Sequence, residues 1–273
     1  MAVEFTRDVT FGQYLDLRSP IHRLDPRIKM IATGLLMFAA IMTRSYIGLV
    51  PLGVAIIIIQ VLSQIPLSYT LRGMRLLFNT MLIIFSLQVL FFPKPVDPFW
   101  QWWVLSLSVD GIVQGIFTML RVLVLYYLTT TLMYTTPLVD IADGTEVMLE
   151  PLKRLRIPVN ELVMVMVIAL KFVPLLIGEL ERLVKAQAAR GNSLGQGNLI
   201  ERTRRVGAVL IPLFVGSLSR AEVLTMAMEA RCYRGGQGRT KRRLLTLRPI
   251  DLVALALMGL LAAASIVIGR LSI

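Results

Sequence analysis

Residues 112–134, IVQGIFTMLRVLVLYYLTTTLMY, decide the fold. These 23 residues carry one charge, Arg121, and about 20 apolar residues in a helix are what the hydrocarbon core of a bilayer requires. Four further stretches, 28–43, 46–62, 76–92 and 252–268, have the same character, and the first two are short and share a tight hairpin. With 56% hydrophobic residues and a mean hydropathy of +0.71, the 273-residue chain is too apolar for an ordinary soluble domain. The predicted fold class is all-α: a polytopic membrane protein with about five transmembrane helices and additional long helices at the cytoplasmic interface.

Capping and flanking charge place these spans. Asp25 followed by Pro26 reads as an N-cap and a proline at the first helical position, so the first span is expected to start sharply. The residues before Ile28 mix Glu4, Arg7, Asp8, Asp16 and Arg18 with no apolar run, so that first span is expected to direct insertion itself. Trp100, Trp102 and Trp103 cluster with Pro93, Pro95 and Pro98, as suits a connection at the membrane–water interface. Arg18, Arg23, Arg27 and Lys29 precede the first span, Arg72 and Arg75 the third, and Lys153, Arg154 and Arg156 follow the fourth. These sides are expected to be cytoplasmic, because the opposite connections carry only Arg44 and Lys94.

Two more apolar stretches, 162–178 and 206–218, raise the question of further crossings. If both crossed, the link between them would lie outside with Arg182, Lys185, Arg190, Arg202, Arg204 and Arg205, against the positive-inside bias. Lys171 and Pro174 interrupt the first stretch and Pro212 the second, and each proline removes a helical hydrogen bond. Both are read as long, kinked interfacial helices. Leu180, Leu183 and Val184 continue one apolar face while Glu181, Arg182 and Lys185 take the others. The expected organisation is a cytoplasmic N-terminal segment (1–27), a four-span membrane domain (28–136), a cytoplasmic or interfacial helix domain (137–248) and a final transmembrane helix (249–273).

Charge then singles out the third of these parts. Ten basic residues face ten acidic ones over 1–150, whereas nineteen face seven afterwards, so the whole net charge of +12 belongs to the second half. The excess falls around two similar helix ends, Ala188-Ala189-Arg190-Gly191 and Glu229-Ala230-Arg231-Cys232. A cation in a last helical turn stabilises the helix dipole by about 0.3–1 kcal/mol, and glycine after it is a good left-handed stop. Repetition raises the functional reading: small alanines permit close approach, and a guanidinium fork binds carboxylates or carbonyls directionally. Two such tips suit two copies of a partner.

Other chemistry is mostly excluded. One cysteine, Cys232, and one histidine, His22, leave no disulfide framework and no Cys/His metal cluster. The run from Gly191 to Gly195 fits the G-x-S-x-G pattern around Ser193, but a helix precedes it where a strand is needed. Neither a phosphate-binding loop nor an H-E-x-x-H helix is present. A pI near 10.4 is explained by basic loops beside apolar spans, so no nucleic acid is expected. Arg121 sits at expensive intramembrane depth and has no partner named by the sequence. Gly111 and Gly115 form a small-xxx-small pair that permits close helix packing.

Four blocks resemble the T component, the transmembrane coupling subunit, of energy-coupling factor (ECF) transporters. Ser19-Pro20-Ile21-His22-Arg23-Leu24-Asp25-Pro26 resembles the family's entry to its first span, and Glu150-Pro151-Leu152-Lys153-Arg154-Leu155 its approach to the long helices. Ala169-Leu170-Lys171-Phe172-Val173-Pro174 with Ala189-Arg190-Gly191 resembles the first Ala-Arg-Gly helix. Pro212-Leu213-Phe214, Arg220-Ala221-Glu222 and Ala230-Arg231-Cys232-Tyr233 resemble the second. The resemblance implies a non-catalytic subunit of a bacterial cytoplasmic-membrane importer, N-terminus inside. Its two tips would dock into two ABC-type ATPases and transmit their motion to a vitamin-binding S component, in the shared-module type. It assigns Ala189, Arg190 and Gly191 to one ATPase and Ala230, Arg231 and Cys232 to the other. ATP and Mg would sit on those partners and no cofactor on this chain. Cys232 departs from the family's glycine, so that helix is expected to end differently. Two alternatives stand on single residues: an intramembrane enzyme on Ser193 and Arg121, and a stand-alone permease on Arg121.

Overall fold

The computed structural model describes residues 14, 15, 17, 19–91, 98–102, 105–155, 158–191, 199–233, 235 and 247–271. Its helices are α1 (Pro26–Met42), α2 (Tyr46–Ser63), α3 (Leu67–Leu90), α4 (Val109–Thr135), α5 (Leu138–Met148), α6 (Val159–Ala189), α7 (Leu199–Ala230) and α8 (Pro249–Leu271). A 3₁₀ turn, Glu150–Leu155, precedes α6. Among the described residues the strands are an antiparallel hairpin of β1 (Pro98–Trp102) and β2 (Leu105–Ser108), in the connection between α3 and α4. Trp100 and Trp102 lie in β1, and Trp103 falls outside the described residues. The chain divides into two compact units, one of residues 14–141 with 245–273 and the other of 1–13 with 142–244.

In the first unit α1 begins as its sequence dictates. Asp25 is the N-cap, its side chain accepts from the Arg27 N–H at 3.0 Å, and Pro26 opens the helix. Two sets of polar contacts tie α1 to α8. At one end the Asp25 N–H donates to Asp251 Oδ1 at 3.1 Å; at the other, Thr43 Oγ1 and Ser265 Oγ share a hydrogen bond of 2.9 Å. The two helices therefore run parallel. Lys29 Nζ donates to Thr135 O at 3.0 Å, setting the end of α4 beside the start of α1. Ser265 Oγ donates to Gly48 O at 2.6 Å, setting the start of α2 beside the end of α8. α1, α3 and α8 thus point one way and α2 and α4 the other. If α1 to α4 and α8 all cross, α6 and α7 must either both cross or both stay on one side.

The core between α1, α2, α4 and α8 consists of Leu36, Ala39, Ala40, Leu49, Leu52, Ala55, Phe117, Leu128, Met258 and Ala262. In lipid there is little hydrophobic drive between helices, so small residues that allow close van der Waals packing carry the association. Gly48 is the tightest point: a Cβ there would lie 2.5 Å from Thr43 Cγ2 and 2.8 Å from Gly269 Cα. Gly115 meets Phe85 of α3, where an added Cβ would be 2.9 Å from the ring, so this glycine of the small-xxx-small pair serves α3–α4 packing.

Arg121 of α4, for which the sequence names no partner, finds two within this unit. Its Nη2 donates to Thr43 O, at the carbonyl end of α1, and its guanidinium lies 4.6 Å from the centroid of Phe117. A free carbonyl end and a ring quadrupole are both electronegative, so they stabilise the cation in place of an anion.

Five helical segments are long and apolar enough to cross a membrane: α2, α4, α6, 203–230 of α7, and α8. Three of them, α2, α4 and α8, coincide with spans read from the sequence. α1, with 17 residues, falls short by length, and the 24-residue α3 contains the apolar stretch Leu77–Leu90.

Candidate functional site

The second unit is dominated by α6 and α7, of 31 and 32 residues, each about 46–48 Å long at 1.5 Å per residue. Both run unbroken through their internal prolines, Pro174 and Pro212. They pair antiparallel. Glu179 Oε2 meets Arg220 Nη2 at 2.9 Å, and Gln187 Nε2 donates to Ala208 O at 3.5 Å. Beyond the helix, an ideal Cβ on Gly235 would lie 3.7 Å from Glu161 Oε1. Later residues of α6 therefore meet earlier residues of α7. The end of α6 lies by the start of α7, and the end of α7 by the start of α6.

Each helix presents its tip residues to solvent: Ala189, Arg190, Gly191, Ala230, Arg231 and Cys232 are all exposed. At the end of α6 the Arg190 N–H donates to Gln187 O at 3.1 Å and the Gly191 N–H to Ala188 O at 3.0 Å, with Gly191 at φ +80°. At the end of α7 the Cys232 N–H donates to Glu229 O at 2.8 Å and the Tyr233 N–H to Met228 O at 3.0 Å, the two bonds of a Schellman closure. Cys232 takes φ +56°. The expectation that Cys232 would end its helix differently is therefore corrected. The closing bonds demand a left-handed residue after the arginine, and cysteine adopts that conformation despite a cost of roughly 1–2 kcal/mol for its Cβ.

Both arginines consequently occupy the same position, the last before a left-handed turn, at opposite ends of one antiparallel pair. Each carries five N–H donors in a planar fork suited to a carboxylate or to paired carbonyls. The helix dipole favours a cation at each of these C-terminal ends. Among the described residues no group of three or more His, Cys, Asp or Glu is placed to hold a metal ion.

The faces between the tips are apolar and uncovered. Leu162, Val165 and Leu175 of α6 and Leu210, Ile211, Phe214 and Val215 of α7 are each at least half exposed, Ile211 to 67%. Leu176, Leu210, Ile211, Leu213, Phe214 and Ser217 line an open recess of about 470 Å³. A run of such residues on helices of this length belongs against lipid or another protein.

A family model described as cobalt transport protein (CbiQ) matches residues 18–242, which takes in both tips and stops before α8. An energy-coupling factor transporter transmembrane protein EcfT of Thermosediminibacter oceani is 39% identical over 260 residues, 95% of this chain and 97% of the relative. The chain belongs to the ECF transporter T-component family. The EcfT protein of Bacillus subtilis is 38% identical over 257 residues, covering 92% and 95% of the two chains. That of Heliobacterium modesticaldum is 39% identical over 245 residues, covering 90% and 91%. As a T component the chain is a multi-pass membrane protein and the transmembrane part of a multi-subunit ECF transporter.

Sequence reasoning located both tips but not what connects them. Glu179 and Arg220 stand 41 positions apart in the chain, and nothing local marks them as a pair. Arg182 also approaches Glu179, at 4.0 Å. Of the Gly-x-Ser-x-Gly run, residues 192–195, Ser193 among them, lie outside the described residues; the element before it is helix α6, which a nucleophile elbow does not allow. His22, the only histidine, accepts or donates at Nδ1 with Ser19 Oγ at 2.6 Å.

Proposed function

We propose that this T component couples two ABC-type ATPases to a substrate-binding S component in a bacterial importer of the cytoplasmic membrane, with its N-terminus inside. Arg190, flanked by Ala189 and Gly191, enters a groove of one ATPase, and Arg231, flanked by Ala230 and Cys232, enters a groove of the other. ATP and Mg belong to those partners. This chain binds no cofactor and performs no catalysis.

One observation carries the reading: two arginines, both exposed, precede a left-handed residue at opposite ends of an antiparallel pair cross-linked by Glu179 and Arg220. A pair built so transmits force, because moving one end of a helix moves residues along its whole length. The apolar faces of α6 and α7 between the tips then act on the S component, which supplies the solute specificity. The basic residues flanking the spans agree with this orientation. The stretch Arg231-Cys232-Tyr233-Arg234-Gly235-Gly236 and its basic tail favour the shared-module type, serving vitamin-specific S components.

The test is the double substitution R190A/R231A in the assembled transporter. Co-purification of both ATPases and uptake of the vitamin are expected to fall to background, with membrane insertion of the chain unchanged. Unimpaired uptake by that variant sinks the coupling role, and labelling that places Arg190 on the outer face sinks the orientation.

A further inference from the structure

The turn between α1 and α2 gathers positive charge where a membrane protein has little reason to keep it. Thr43 is its centre. Arg44 follows directly and is exposed; Arg121 reaches Thr43 O from α4. Gly269 of α8 packs on the same residue, a Cβ there being 3.1 Å from Thr43 Cγ2, so Arg270 next to it projects at the same level and is exposed. None of the three arginines forms an ion pair among the described residues, and Arg121 Nε is buried with no hydrogen-bond partner there. The described carboxylate at this end is Asp110, in the first turn of α4, about 16 Å along that helix from Arg121.

Depth explains what this charge faces. α1 has 17 residues and α2 has 18, about 26 and 27 Å, against a hydrocarbon core of about 30 Å. Their turn therefore ends a few ångströms short of the far boundary of the core. A short apolar stretch is accommodated by thinning the bilayer, and cations at its end draw phosphates inward. Just inside the turn, large side chains stand open to lipid: Phe38 and Ile41 of α1, Ile47 and Val50 of α2, and Val267 of α8, each between 54% and 61% exposed. A guanidinium cluster above an apolar slope matches a phosphodiester above its acyl chains.

We propose that Arg44, Arg121 and Arg270 form a ledge that holds the phosphate of one phospholipid in the leaflet facing the α1–α2 turn, the outer leaflet when the N-terminus is inside. Arg44 and Arg270 bind the phosphate oxygens through charge-assisted hydrogen bonds. Arg121 supplies charge from behind while its own bond holds the turn in place. The acyl chains descend along α1, α2 and α8. The site anchors the short helical hairpin at its proper depth.

The experiment uses the full chain in its assembled transporter, delipidated in neutral detergent and titrated with dioleoyl phosphatidylglycerol under native mass spectrometry. The wild type is expected to retain one lipid more than R44Q/R270Q, whose apparent affinity for that lipid falls about tenfold; R44K/R270K, which keeps the charge, stays nearer the wild type. Inorganic phosphate at millimolar concentration is expected not to displace the lipid, because the chains contribute the rest of the binding. Equal retention by wild type and R44Q/R270Q overturns the proposal, and so does displacement of the lipid by phosphate alone. Should R44Q/R270Q fail to fold, phosphatidylglycerol with a photoactivatable headgroup decides on the wild type. Cross-links on peptides containing Arg44 or Arg270 support the ledge, and cross-links confined to the other end of the helices overturn it.

Discussion

The membrane unit and the α6–α7 pair both expose large apolar side chains, yet they are held together differently. In the membrane unit, Ser265 links α8 to Thr43 and Gly48, Asp251 links it to Asp25, and Arg121 and Lys29 link α4 to either end of α1. Four helices, α1, α2, α4 and α8, share these bonds. Between α6 and α7 the polar cross-links include the Glu179–Arg220 ion pair and the Gln187–Ala208 contact, while Phe214, Val165 and Ile211 stand about two-thirds exposed. The first unit is specified by contacts within itself and needs only a bilayer around it. The second is two long rods whose apolar faces and tips stand exposed.

The sharpest way to break this contrast is to overfill the membrane unit. Gly48→Ala places a methyl against Thr43 and the backbone of Gly269, at a cost of about 1–3 kcal/mol for overpacking. The midpoint of thermal unfolding in detergent is expected to drop by several degrees. Gly207→Ala in α7, where nothing lies within 4 Å of an added Cβ, is expected to leave it unchanged. Equal effects at the two glycines would mean that the membrane unit is no more tightly specified than the pair.

Loosening the pair should do the opposite, sparing stability and harming action. Glu179 and Arg220 are about 30% exposed, so their ion pair contributes no more than about 1 kcal/mol to stability. We expect E179A or R220A to lower uptake by the assembled transporter several-fold with little change in thermal midpoint, and the swapped pair E179R/R220E to recover much of the loss. Arg182, already 4.0 Å from Glu179, limits how complete that recovery is. Uptake at wild-type level in both single variants would remove the cross-link from the mechanism.

The smallest effect compares the two tips with each other. Cys232→Gly relieves a left-handed Cβ and is expected to stabilise the end of α7 by about 1 kcal/mol, read as slower hydrogen exchange at the Cys232 and Tyr233 amides. Uptake should persist, since Gly191 already fills that place in α6. Cys232→Ala keeps the Cβ and should leave exchange unchanged.

Much of this molecule was legible in its chain because the signals are local. An apolar run of about 20 residues forms a membrane helix whatever surrounds it, since lipid leaves backbone groups no other way to be satisfied. Asp25-Pro26 starts α1 by chemistry confined to a few residues, and an arginine before a left-handed stop marks a helix end wherever it occurs. The folded structure alone could decide the rest. That Arg121 rests on a carbonyl and a ring, that Glu179 finds Arg220, and that Cys232 copies a glycine all depend on geometry. Arg121 with the Thr43 carbonyl, and Glu179 with Arg220, are also brought together across tens of positions, for which no spacing rule exists. Helix packing chooses such partners by shape and distance, and those are properties of the assembled bundle.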